Sequence, residues 1–125
     1  MGTRSKPLRT LKKRAEFQRI RGGARFSTRG FLIEAKVRSV SEPEFAGPRF
    51  GLTITKKIGN AVERNRIRRR LKSILRGSAA THARPGFDYV LVARRPALDC
   101  VFSDLEADVV AALQRVASPK AAKHR

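Results

Sequence analysis

Acids, aromatics and sulfur are all scarce in this chain. It has 10 Asp or Glu against 29 Lys or Arg among 125 residues, a formal net charge of +19. Trp is absent, Tyr occurs once and Phe seven times. A single cysteine, Cys100, excludes an internal disulfide and gives no metal-ligand spacing, so it reads as a small buried apolar residue. The two histidines, His82 and His124, stand far apart, in a loop and in the tail, and make a poor acid–base pair. No apolar run approaches a membrane span, and the basic N-terminus lacks the apolar stretch of a signal peptide. The chain therefore reads as cytoplasmic, with no membrane partner.

The shortage of acids bears directly on chemistry. Cutting RNA needs metal-bound carboxylates or a positioned acid–base pair. Glu34 faces out of a strand, Glu42 and Glu44 sit in a turn, and Glu63 caps a helix. Asp104, Glu106 and Asp108 fill the first turn of the last helix, where the dipole favours anions. Asp88 and Asp99 remain open as candidates for a chemical role. No Walker loop, zinc spacing or nucleophile elbow is present. The residues describe a protein that binds a polyanion, with no catalytic residue, no metal site and no small-molecule substrate of its own.

What the chain has in plenty is positive charge, concentrated at residues 56–76, which hold nine Lys or Arg and one acid, Glu63. Asn60 and Glu63 have the spacing of a capping box, and Gly59 before them allows a turn. Ile67, Leu71, Ile74 and Leu75 then recur at i, i+4, i+7 and i+8 as one apolar stripe. At about 100° per residue, Asn65, Arg68, Arg69, Lys72 and Arg76 fall on the opposite side, with Arg64 and Arg66 flanking the stripe. The helix N-terminus, Lys56, Lys57 and the guanidinium row together describe an anion site. No acid at i, i+4 relieves the repulsion among these charges, which favours a polyanionic partner over a merely solvated face.

Around this helix the pattern is mixed. Length and 41% hydrophobic content fit one domain with a modest core. Residues 1–10 read as a basic flexible arm, 11–117 as the domain and 118–125 as a basic disordered tail. A short helix is expected over 11–21, with Leu11, Phe17 and Ile20 buried, ended by Gly22 and Gly23. Phe31, Ile33, Ala35 and Val37 alternate with Leu32, Glu34, Lys36 and Arg38 as a strand. After turn chemistry at 41–48, Phe50, Leu52 and Ile54 give a second strand, expected to run antiparallel to the first. Residues 87–94 give a third strand, the most apolar and so central, paired parallel to the second across the basic helix. Ser103 and Glu106 are expected to cap a last helix with Leu105, Val109, Leu113 and Val116 inside. The sum is an α+β two-layer sandwich of order α-β-β-α-β-α with a small mixed sheet.

The string Lys56-Lys57-x-Gly59-Asn60-Ala61-Val62-x-Arg64-Asn65-Arg66-x-Arg68-Arg69 closely resembles the Arg-Asn-Arg motif of the bacterial ribonuclease P protein subunit. Leu11, Lys12, Lys13 and Phe17 match the family's first helix, and Ala93, Arg94 and Ala97 match the end of its third strand. The resemblance implies a left-handed βαβ crossover, where general topology would favour a right-handed one. It implies two partners, ribonuclease P RNA and precursor tRNA, whose 5′ leader is removed by the RNA subunit with Mg²⁺ bound mainly by that RNA. The RNA-binding candidates are Lys56, Lys57, Asn60, Arg64, Asn65, Arg66, Arg68, Arg69 and Lys72. Leader-binding candidates are Lys12, Phe17, Phe31, Lys36 and Arg38, on an open sheet face beside the first helix, with Lys56 and Arg64 nearby. Relatives often carry a second aromatic one turn after Phe17, where this chain has Arg21, which shifts the balance from stacking toward phosphate contact. A basic ribosomal or assembly protein fits the composition equally well, and only the motif argues against it.

Overall fold

The computed structural model describes residues 24–37 and 47–116. The expected helix over 11–21, the arm at 1–10, Glu42, Glu44 and the tail from 118 lie outside the described residues.

Four strands form one sheet: β1 (Ala24–Ser27), β2 (Phe31–Val37), β3 (Arg49–Thr53) and β4 (Phe87–Ala93), in the spatial order β1-β2-β4-β3. β2 pairs antiparallel with both β1 and β4, while β3 pairs parallel with β4, so the sheet is mixed. Two helices cover one face, α1 (Ala61–Arg76) and α2 (Phe102–Val116). The crossover β3–α1–β4 supplies the parallel pair, as the sequence indicates. β4 is apolar on both sides, with Tyr89, Leu91 and Ala93 toward the helices and Val90 buried on the other face, which suits an interior strand. For that reason β2 and β3, though opposite in direction, are not neighbours: β4 lies between them.

The edge strand β1 is an addition to the expected order. Only Ala24 and Phe26 of its four residues are apolar, too few to show a period. Position makes it a strand. In the turn to β2, the Thr28 N–H donates to the Phe31 carbonyl at 2.8 Å and the Phe31 N–H to Thr28 Oγ1 at 3.2 Å. Arg94 fastens this turn from β4's end, its N–H donating to Gly30 O at 2.9 Å and its Nη1 to Thr28 O at 3.0 Å. A Cβ on Gly30 would stand 3.2 Å from Leu105, so the missing side chain lets the turn lie against α2.

The core lies between sheet and helices. Phe31, Ile33, Ala35, Phe50, Tyr89, Leu91 and Ala93 meet Ile67, Leu71, Ile74 and Leu75 of α1 and Leu105, Val109, Leu113 and Val116 of α2. All eight helical positions are the ones the period picks out. Phe50 and Phe87 stack on Tyr89 at 5.3 and 5.8 Å between ring centroids, and the Tyr89 hydroxyl accepts from the Arg84 N–H at 2.9 Å. Burial raises the Tyr89 pKa, an effect the Arg84 contact opposes. α2 begins at Phe102, so Ser103 lies within its first turn and is not the cap expected of it; the N–H groups of Asp104 and Leu105 donate to Val101 O.

Candidate nucleic-acid interface

The N-terminal end of α1 is locked by its own sequence. Asn60 Oδ1 accepts from the Glu63 N–H at 2.8 Å, and Glu63 Oε1 accepts from the Asn60 N–H at 3.0 Å, completing the capping box. Arg95, from the 3₁₀ turn after β4, donates to Glu63 Oε1 at 3.0 Å and to Ile58 O at 2.8 Å. The Arg95 hydrogen bond, with that of the Asn60 backbone, holds the Glu63 carboxyl below its ordinary pKa; the same contact raises that of Arg95. The missing side chain of Gly59 leaves room for this cap: a Cβ would crowd Glu63 Oε1 and Arg95 Nη1, so the ends of those two side chains would have to shift. The first turn, expected to receive an anion, thus already carries a carboxylate.

Several arginines of α1 have structural work as well as charge. Arg64 Nε donates to Gly59 O at 3.1 Å, and Arg66 Nε to Leu98 O at 3.1 Å. Arg70 Nη1 donates to Ala97 O at 3.0 Å and Leu98 O at 2.9 Å, and its Nη2 to Cys100 O. The two arginines of the Arg-Asn-Arg triplet therefore brace the helix against the loops on either side, while Asn65 between them is exposed. Arg70 and Arg95 have no signal in the sequence, because their acceptors are carbonyls and a carboxylate roughly 30 residues away.

Beyond this first part, Arg68, Arg69, Lys72 and Arg76 line the outer side of α1, and no described hydrogen bond or ion pair engages their charged ends. Arg69, Lys72 and Arg76 border a shallow depression with Ser73 and Gly77. Lys56 and Lys57 are exposed in the 3₁₀ turn Lys56–Ile58 just before the cap. The four α1 cations form a row along the helix, with Lys56 and Lys57 just ahead of its N-terminus, and such a row suits phosphates spaced along a polynucleotide.

The sheet face away from the helices is the second candidate surface. Its rows, read from the register, are Arg25, Glu34, Val90 and Gly51; Ser27, Leu32, Val92 and Thr53; and Lys36, Asp88 and Arg49. Arg25 pairs with Glu34 at 3.2 Å, and Lys36 is exposed. Asp88 is 2% exposed and accepts from Arg49 Nε and Nη2, at 2.8 Å each, which gives it a structural account in place of a chemical one. Phe31 does not belong to this surface. It is 0% exposed and shares the helix-facing side with Ile33 and Ala35, so its ring offers no stacking face. Alternation itself separates it from Lys36, since residues five apart in a strand point to opposite faces. Lys12, Phe17 and Arg38 lie outside the described residues. Among the described residues no three His, Cys, Asp or Glu form a group that could hold a metal, and no helix is long and apolar enough to cross a membrane.

The Ribonuclease P family profile matches residues 6–117. A ribonuclease P protein component from Brucella suis is 47% identical over 104 residues, covering 80% of this chain and 74% of the relative. The ribonuclease P protein of Staphylococcus aureus superposes with a TM-score of 0.64 at 29% identity, covering 88% of this chain and 93% of that one. That of Thermotoga maritima gives a TM-score of 0.73 at 21% identity over 87% and 98%, a likeness of fold.

Proposed function

This chain belongs to the ribonuclease P protein family, and from that premise we propose that it is the protein subunit of a ribonucleoprotein endonuclease that removes the 5′ leader of precursor tRNA. It acts in the cytoplasm on the RNA subunit and the tRNA precursor together. Hydrolysis belongs to the RNA, and Mg²⁺ bound by that RNA would supply the metal-ion chemistry. The protein's residues bind and position.

The observation that carries this reading is the row of Arg68, Arg69, Lys72 and Arg76 on α1, which has no carboxylate paired with it among the described residues. Four such charges on one helix repel one another, and an RNA backbone relieves that repulsion. Neutralising phosphates there lets the RNA pack closely at modest Mg²⁺ concentration. Lys56, Lys57 and Asn65 extend the same surface, and Arg64 and Arg66 hold the helix at the angle that presents it. The single-stranded leader lies along the opposite face of the sheet, with Lys36 on its backbone; Lys12, Phe17 and Arg38, outside the described residues, are kept as leader contacts on the family resemblance, and Phe31 is not part of that grip.

Cleavage of a precursor tRNA at low Mg²⁺ tests the proposal in three arms: protein alone, a bacterial ribonuclease P RNA alone, and both. Activity with both and with neither alone supports it. Cleavage by the protein alone would move the chemistry into the chain. Tight RNA binding without cleavage in any arm would favour a ribosomal or assembly role.

A further inference from the structure

Beside the cationic band, where the chain enters α2, Val101 is 62% and Phe102 40% exposed. Single exposed apolar residues are ordinary, but this pair stands on a built support. Arg70 reaches across from α1, its guanidinium held by the carbonyls of Ala97, Leu98 and Cys100, and its Cζ lies 5.7 Å from the centroid of the Phe102 ring. Three carbonyls fix the cation, and the cation in turn fixes the ring over which it sits. One face of the phenyl group is thus backed, and a large part of the residue stays open.

Charge selects what can come to it. Toward α1 stands Arg66, whose Nε donates to Leu98 O, and the acids Asp99, in the turn just before Val101, and Asp104, two residues into α2, are exposed. A phosphate is favoured near the arginine and disfavoured near the acids. A single strand whose backbone follows the cationic band would therefore turn a base, and not a phosphate, toward the ring. The patch is two side chains, far short of the ~800 Å² per partner of a stable protein interface, but one base needs only one aromatic face. We propose that Phe102, backed by Arg70, is a stacking platform for one unpaired nucleobase of the RNA held along α1. The inference rests on the RNA-binding reading above and adds to it a site at the start of α2.

Affinity of the full chain for ribonuclease P RNA, measured by filter binding across a KCl series, tests it with Phe102→Ala, Phe102→Leu and Phe102→Tyr. Stacking predicts that Ala and Leu weaken binding about 5- to 150-fold while Tyr stays close to wild type. The slope against log salt should not change, because no phosphate contact is removed. Thermal unfolding of each variant confirms that the fold is kept, and Tyr and Leu retain most of the buried contact. Wild-type affinity in the Leu variant would overturn the proposal, as would a reduced salt slope, which would mean a disturbed cationic band. Unchanged RNA binding with a concentration-dependent mass that Phe102→Ala abolishes would assign the patch to self-association instead. Failure of the wild-type chain to bind the RNA at all would sink the proposed function itself, a result distinguishable from all of these.

Discussion

Removing one member of the Arg49–Asp88 pair should cost far more than breaking a surface ion pair. Both contacts of the fork are 2.8 Å, and the side chains are only 13% and 3% exposed. The two residues are register partners on β3 and β4, so the pair ties the edge strand to the central one on the face away from the helices. Truncating one partner takes both 2.8 Å contacts from the other, buried charge, a loss of up to about 3–5 kcal/mol, against a total stability on the order of 5–15 kcal/mol for a domain. Asp88 is the more deeply buried, so Arg49→Ala, which takes both fork contacts from it, should be more damaging than Asp88→Ala. Replacing both, as in Arg49→Met with Asp88→Leu, removes the desolvation cost together with the attraction and should recover much of the loss. Urea unfolding followed by far-ultraviolet circular dichroism measures each variant. A loss below about 1 kcal/mol for Arg49→Ala, or a double variant worse than either single one, would refute the reasoning. The same variants decide whether Asp88 has a chemical role. Asp88→Asn should lower stability yet leave holoenzyme cleavage intact at temperatures where it is folded, and loss of cleavage at unchanged stability would contradict the structural assignment.

Replacing Arg68, Arg69, Lys72 and Arg76 together by Ala should flatten the salt dependence of RNA binding by roughly 0.7–0.9 per lost phosphate contact, with helix content by circular dichroism maintained; an unchanged slope would remove the band from the interface. Gly59→Ala should lower the melting temperature, because its Cβ collides with Glu63 Oε1 and crowds Arg95 Nη1, and an unaltered melting curve would show that the cap can shift to make room. Glu63 has a depressed pKa in the fold, so the stability it contributes is present above its ordinary 4.5 and is lost as pH falls through the lower folded value. Glu63→Gln should therefore show a shallower acid loss of stability than wild type in that window, and identical pH profiles would argue that the carboxylate adds nothing. Phe17→Ala should weaken leader-bearing precursor more than leaderless tRNA, by roughly 1–3 kcal/mol for each base stacked; equal losses on the two substrates would indicate packing.

What could be read from the sequence was what depends on near neighbours. The capping box of Asn60 and Glu63 closes within one turn, and the apolar stripes of both helices repeat within four residues, so each appears as a pattern. The parallel pairing of β3 and β4 followed from a strand, a helix and a strand in succession. β1 escaped because four residues with two apolar side chains carry no period; its strand character comes from pairing with β2. The alternation in β2 did separate Phe31 from Lys36. Assigning both to the leader surface set a family resemblance above a geometric rule, and the geometry prevailed.

The arginines show where sequence reading must stop. A cationic helix face looks uniform in one dimension, yet its members divide by angle around the axis. Those turned toward the loops at Gly59 and at 97–100 meet backbone carbonyls and become braces: Arg64, Arg66 and Arg70. Those turned outward, Arg68, Arg69, Lys72 and Arg76, meet none among the described residues. Distant carbonyls decide which cation is which, and nothing in the spacing of the helix records where those carbonyls will lie. The division also explains how a helix with nine nearby cations and one acid is held: part of the charge is spent on the scaffold, where hydrogen bonds to carbonyls offset the repulsion. The remainder is left at the surface, uncompensated until an anion arrives. Mutations in the first group should act through stability and in the second through affinity and its salt dependence, so measuring both on the same variants separates the scaffold from the interface.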